Sequence, residues 1–165
     1  MRKVLEFYQG GGETGEGYML KDILEWSDHR LQVRTEYFSW VFPSDKDSLY
    51  YKLSIQPEFK TTCKKVFDRF LDFYGFSYRN QKLSQVKPVK REENGVMIGL
   101  YNTDTLYRLS HILRFLTKTG MTQLSAVFFL MLCHVMKKFP DFQKMIGQTG
   151  ELDAWIFSQS YLPYE

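Results

Sequence analysis

Three histidines, His29, His111 and His134, and two cysteines, Cys63 and Cys133, are the side chains of this chain best suited to metal or nucleophilic chemistry. No two histidines stand at the i, i+4 spacing that puts a zinc pair on one helix face. Cys133 and His134 are sequence neighbours, about 100° apart around a helix, so they diverge instead of chelating together. A buried, hydrogen-bonded His134 and a space-filling Cys133 are expected. Cys63 shares an apolar stripe with Phe59 and Phe67; there a thiol has its pKa raised by burial and is inert. A triad built from Cys63 and His111 would need a third, orienting group that spacing alone does not supply. The paired carboxylates Glu92 and Glu93 sit in a polar stretch that offers no rigid frame for acid–base work. Gly10 to Gly17, GGGETGEG, imitates a phosphate loop, but Glu13 and Glu16 repel an anion and no Gly-Lys-Ser/Thr follows. A mobile surface loop is the expectation. No catalytic, metal or cofactor-binding residues are assigned, and the chain is expected to be non-enzymatic and to fold without a metal or cofactor.

The elements that would hold such residues are helical by period. Val4–Tyr8 is a short apolar piece. Met19, Leu20, Ile23 and Leu24 predict a short helix ending near Trp26. Ser27 is placed to cap a second helix whose apolar face is Val33, Tyr37, Trp40 and Val41, stopped by Pro43. Trp40 and Phe42 are expected to be core anchors. Residues 44–56 read as a loop. Pro57 then opens a helix striped by Phe59, Cys63, Val66, Phe67, Phe70 and Tyr74, with Gly75 as its stop. The polar stretch 80–95, NQKLSQVKPVKREENG, predicts a flexible basic linker within a single domain. Thr103 is placed to cap a helix carrying Leu106, Leu109, Ile112, Leu113 and Leu116, ending near Gly120. Residues 122–139 are apolar all round, which predicts a central helix buried all round. Weaker helical signals follow at Phe142–Ile146 and Leu152–Phe157.

A chain of 165 residues suits one all-α compact domain, here spanning 1–165. Aromatic residues at 17% supply large buried areas, so the core needs no staple. Two isolated cysteines do not make a secreted disulfide framework, and an intracellular location, cytoplasmic or nuclear, is expected. No run approaches the roughly 18 apolar residues of a spanning helix, so no membrane insertion is expected.

The net charge of +3, with a pI near 8.7, is too small to imply nucleic acid unless the cations cluster. Lys82, Lys87, Lys90 and Arg91 fall in the 80–95 stretch, whereas Lys64, Lys65, Arg108, Arg114, Lys118, Lys137 and Lys138 scatter over helices. The candidate partner-binding residues are Lys87, Lys90 and Arg91, with Tyr50 and Tyr51 of the 44–51 loop, because loops on a rigid scaffold carry binding residues and Tyr suits interfaces. The plain alternative is that the tyrosines pack inward and the lysines only solvate.

The stretch FYQGGGETGEGYMLKDILEWSDHRLQVRTEYFSWVFP, Phe7 to Pro43, resembles the start of the opioid growth factor receptor conserved domain. The resemblance rests on the aromatic block Tyr37–Pro43, then on LDFYGF (Leu71–Phe76) and LYRLSHILRFLTKTGM (Leu106–Met121) in order, and covers about Phe7 to Phe139. Thr35 and Glu36 stand where that family usually carries His-Asp, and NTDT (Asn102–Thr105) replaces its Asn-His-Asn-like lead. The resemblance implies a helical fold, as a short stand-alone member of microbial or phage type, and implies no enzymatic residues. The resulting expectation is a domain that binds another macromolecule, most simply a protein, as an interaction module, adaptor or inhibitor. A nucleic-acid-associated protein using the basic linker and helix faces is the alternative, and an enzyme with an unrecognised site comes third.

Overall fold

A computed structural model of the protein describes residues 2–44, 47–150 and Trp155. Six helices come first: α1 (Arg2–Tyr8), α2 (Leu20–Leu24), α3 (Asp28–Val33), α4 (Phe38–Val41), α5 (Asp47–Ser54) and α6 (Phe59–Phe73). Two β-hairpins follow, β1 (Phe76–Arg79) with β2 (Lys82–Gln85), then β3 (Arg91–Glu93) with β4 (Val96–Ile98). Two 3₁₀ turns, Gly99–Tyr101 and Thr103–Thr105, lead into α7 (Tyr107–Lys118), α8 (Thr122–Lys138) and α9 (Pro140–Gly147). The fold is mostly helical, and the hairpins correct the all-α expectation.

The long helices form where their apolar period predicts them. In α6 the stripe Phe59, Cys63, Val66, Phe67 and Phe70 is buried, and Gly75 at φ +96° supplies the left-handed exit. In α7 Leu109, Ile112, Leu113 and Leu116 are buried as expected. Ser27 caps α3 by accepting a hydrogen bond from the Arg30 amide at 3.2 Å. Pro140 occupies the first turn of α9, where its missing N–H is no loss.

Phe115 of α7 sits where these elements meet. Its ring centroid lies 5.6–6.2 Å from those of Tyr8, Phe42, Tyr50 and Phe59, so α1, the chain after α4, α5 and α6 all converge on one α7 side chain. Phe70 gathers Phe42 at 4.9 Å and Phe38 at 6.4 Å. The contiguous core draws apolar residues from every helix and includes Trp155. The other residues of the expected 152–157 helix lie outside those described.

Several sequence expectations change. Residues 47–54 form a helix, not a loop: Leu49, Tyr50 and Leu53 make a helical face and are buried, while Ser and Asp ahead of them suit a helix N-terminus as well as a turn. Residues 80–95 are not an irregular connection. Asn94–Gly95 (φ +52° and +77°) and Asn80–Gln81 (φ +52° and +60°) have the positive φ pairs of two-residue hairpin turns. A two-stranded ribbon leaves most side chains in water, so its polar composition resembles a loop. The helix α8 buries Leu124, Val127, Phe128, Met131, Leu132 and Val135 but leaves Leu130 60% exposed, so it is not buried all round. Trp40 is only half-buried, its indole N–H donating to Glu36 Oε1 at 2.9 Å, and Val33 is exposed. Phe42, at 1% exposure, is a core residue as expected.

Emptying the Phe42 site therefore costs more than emptying that of Trp40. Phe42→Ala is expected to lose about 3–5 kcal/mol in urea unfolding, the range for a buried aromatic, and Trp40→Ala distinctly less. Equal losses would show that Trp40 is as central as Phe42.

Candidate functional site

Two places concentrate polar or exposed features. The first is built on α3, a helix of six residues. Asp28 in its first turn is 9% exposed and receives three cations: Arg69 Nη2 at 2.9 Å on Oδ1, and Lys87 Nζ at 2.8 Å and Arg91 Nη2 at 2.7 Å on Oδ2. Asp72 of α6 accepts from Lys87 at 2.7 Å and Arg69 at 3.3 Å. The guanidinium groups also donate to backbone, Arg69 to Trp26 O at 2.7 Å and Arg91 to Phe73 O at 2.6 Å. Burial pushes the Asp28 carboxyl up, but hydrogen bonds and charges from Lys87 and Arg69 outweigh it and hold its pKa below the usual value.

At the other end of α3, Arg108 is fully buried. Its Nη1 donates to Leu31 O at 2.9 Å and its Nη2 to Arg34 O at 2.8 Å, and its charge lies 5.1 Å from the Phe38 ring centroid. A cation at a helix C-terminus meets the negative end of the dipole and satisfies orphan carbonyls. Arg108, one of the cations scattered over helices, is thus an interior residue and not part of a solvated face. At the same end, Gln32 donates to Thr105 Oγ1 at 2.9 Å and accepts from the Gly99 amide at 2.8 Å.

The second place is the end of α5. Tyr51 is 65% exposed and Ile55, one helical turn on, 56%. Immediately after them the chain borders an open cleft of about 280 Å³ lined by Tyr8, Gln9, Leu53, Gln56, Pro57, Glu58 and Phe59. The Gln9 side-chain amide donates to Gln56 Oε1 at 2.8 Å across its rim. Apolar floor and amide rim together suit a side chain of a partner more than a small charged ligand.

The sequence-predicted partner residues divide between these places. Lys87 and Arg91 come together on Asp28, engaged within the fold. Lys90 is exposed, with its ammonium 5.6 Å from the Tyr101 ring centroid. Tyr51 stands free on α5. Tyr50 does not: at 2% exposure, with its hydroxyl donating to Pro43 O at 2.8 Å, it belongs to the core and presents nothing to a partner. Sequence reasoning missed Asp28, Arg69 and Asp72, whose meeting needs α3 and α6 to pack together. It also missed Ile55, which reading SLYYKLSI as a helix would have placed on the same side as Tyr51.

The remaining chemical candidates are dispersed. Cys63 is fully buried and its thiol is pushed up to about 12. His134 is exposed, its ring edge-on to Phe76, and corrects the expectation of a buried histidine. In the glycine loop the amides of Gly11 and Gly12 donate to Glu6 O, and that of Gly15 to Glu36 Oε1, so they do not converge on an anion. Among the described residues no group of three or more His, Cys, Asp or Glu is placed to hold a metal ion, and no helix is long and apolar enough to cross a membrane. No protein-family model matches the chain, and neither a curated protein nor a solved structure does.

Two measurements follow. Because the folded Asp28 pKa is lowered, its contribution is fully present above the unfolded carboxylate pKa of roughly 3.9 and is lost as pH falls through the folded value. The stability gap between wild type and Asp28→Asn is thus expected to be flat from pH 5 to 7 and to shrink below about pH 4 in urea titrations; a gap that widens on acidification would contradict the ion-pair assignment. Thiol titration at pH 8 is expected to leave Cys63 unmodified until denaturant is added, while the half-buried Cys133 reacts sooner. Rapid native-state labelling of Cys63 would show that its site opens.

Proposed function

We propose that this protein is a binding module that engages another protein through the end of α5, using Tyr51 and Ile55 as exposed anchors and the adjoining cleft as a socket. The observation that carries this reading is the exposure of two large apolar side chains one turn apart, beside a concavity with an aromatic floor. Folding does not need either side chain in water, and an amphipathic tyrosine next to a pocket is typical of interface centres. The resemblance to the opioid growth factor receptor conserved domain agrees with a binding role, and we propose that relationship on the residues that carry it. An intracellular setting is part of the same proposal.

Lys87 and Arg91, tied to Asp28, give less support to nucleic-acid recognition than their sequence positions did. A polyanion site needs cations that are free to replace counterions. An enzymatic role finds no support in the raised Cys63 thiol or the exposed His134.

The double variant Tyr51→Ser/Ile55→Ser is expected to melt within a degree or two of wild type, as surface changes do. It should weaken capture of the partner, isolated from host lysate with the wild-type protein as bait, at least about 10-fold, or about 1.4 kcal/mol. Unchanged capture by this variant would exclude the α5 surface. Retention on DNA that falls steeply with salt would instead favour the nucleic-acid alternative.

A further inference from the structure

Residues 76–98 lie between two glycines that both have left-handed backbone, Gly75 at φ +96° and Gly99 at φ +78°. Between them run both hairpins and their connector. Three side chains of this whole segment are buried apolar ones, Phe76, Val89 and Ile98. Ordering each residue costs backbone entropy, and an isolated two-stranded hairpin is marginal in water. These three, with Tyr78, Leu83 and Val96 only partly buried against the core, are a thin apolar seat for a segment of this length. What adds to them is the Asp28 cluster: Lys87 of the connector and Arg91 of β3 both close on a carboxylate that belongs to α3, and Lys87 also reaches Asp72 of α6. Beneath the connector the amides of Val86 and Lys87 donate to Gly75 O at 2.8 and 3.2 Å, and a Cβ on Gly75 would stand 3.0 Å from Lys87 O. The connector is seated on one hinge and ion-paired to the body.

We propose that residues 76–98 form a strap, hinged at Gly75 and Gly99 and latched by Asp28, that opens as a unit while α6, α7 and α8 stay folded. Closed, the strap exposes Arg79, Lys82 and Lys90 and holds Lys87 and Arg91 against Asp28. Open, it presents all five cations on one extended ribbon and uncovers Phe76, Val89 and Ile98. The opening is a local unfolding event of the kind that few buried contacts and an exposed ladder permit. It is independent of the α5 surface, which lies on other elements.

Amide hydrogen exchange followed by mass spectrometry on the full chain tests the proposal. In wild type, peptides covering 76–98 are expected to exchange as one group, at least 10-fold faster than those of α7 and α8. Asp28→Asn should speed the strap by a further 10-fold, and α7 and α8 by no more than its loss of global stability in urea allows. Asp28 also stands in the first turn of α3, so Lys87→Met provides a second variant that leaves α3 intact and keeps the connector's aliphatic stem. It should speed strap exchange about 3-fold. Strap amides that exchange at the rate of α7 and α8 in wild type, or variants that leave strap exchange unchanged, would overturn the proposal.

Discussion

Six residues of α3 organise the polar interior. The helix is too short to be stable alone, since isolated helices need about 12–15 residues, and its two ends carry opposite partial charges. Asp28 meets the positive end and collects Arg69, Lys87 and Arg91; Arg108 meets the negative end through Leu31 O and Arg34 O. Gln32 ties the last turn to Gly99 and Thr105. Through these side chains α3 is joined to α6, the connector and second hairpin, the 3₁₀ turns and α7. Removing one partner from such a cluster leaves a buried charge unpaired, which is far more destabilising than never having placed it there. That asymmetry makes α3 the register mark against which the outer elements are set.

The apolar interior answers a different requirement. Rings from four other elements meet on Phe115 and Phe70, mostly edge-to-face, a packing that combines large burial with favourable ring electrostatics. Area burial drives these contacts and is non-directional, so it brings helices together without fixing their order. The directional hydrogen bonds and ion pairs around α3 supply that order. Tyr37 belongs to both systems: its ring packs edge-on to Trp26 while its hydroxyl donates to Leu31 O at 2.6 Å.

This division of labour shapes what the surface has left for recognition. Four of the 22 lysines and arginines are engaged internally, Arg108 with carbonyls and Arg69, Lys87 and Arg91 with Asp28. The apolar side chains left in water are few, and Tyr51 and Ile55 stand out because they share one turn of a helix whose other face is core. A surface of this kind favours recognition by shape and apolar contact over recognition by charge, as long as the Asp28 cluster stays closed.

By itself the sequence determined the long helices. In α6, α7 and α8 the apolar period, the capping glycines and Pro140 are local signals, and each acts within a turn or two of the residues that carry it. The Ser27 cap and the inert environment of Cys63 were legible for the same reason. The hairpin turn at Asn94–Gly95 was also written locally, but the polar residues around it concealed the strands, because a ribbon exposed on both faces has no alternation to read. Tertiary structure alone decided that Tyr50 is buried and Tyr51 exposed, that Trp40 is peripheral while Phe42 is central, and that α8 shows Leu130 to solvent. It also decided that Asp28, Arg69, Lys87 and Arg91, drawn from residues 28 to 91 of the chain, share one point in space. The physical reason is range: periodicity and capping act over a few residues, whereas burial and ion pairing depend on which element arrives opposite, and no local pattern encodes that arrival.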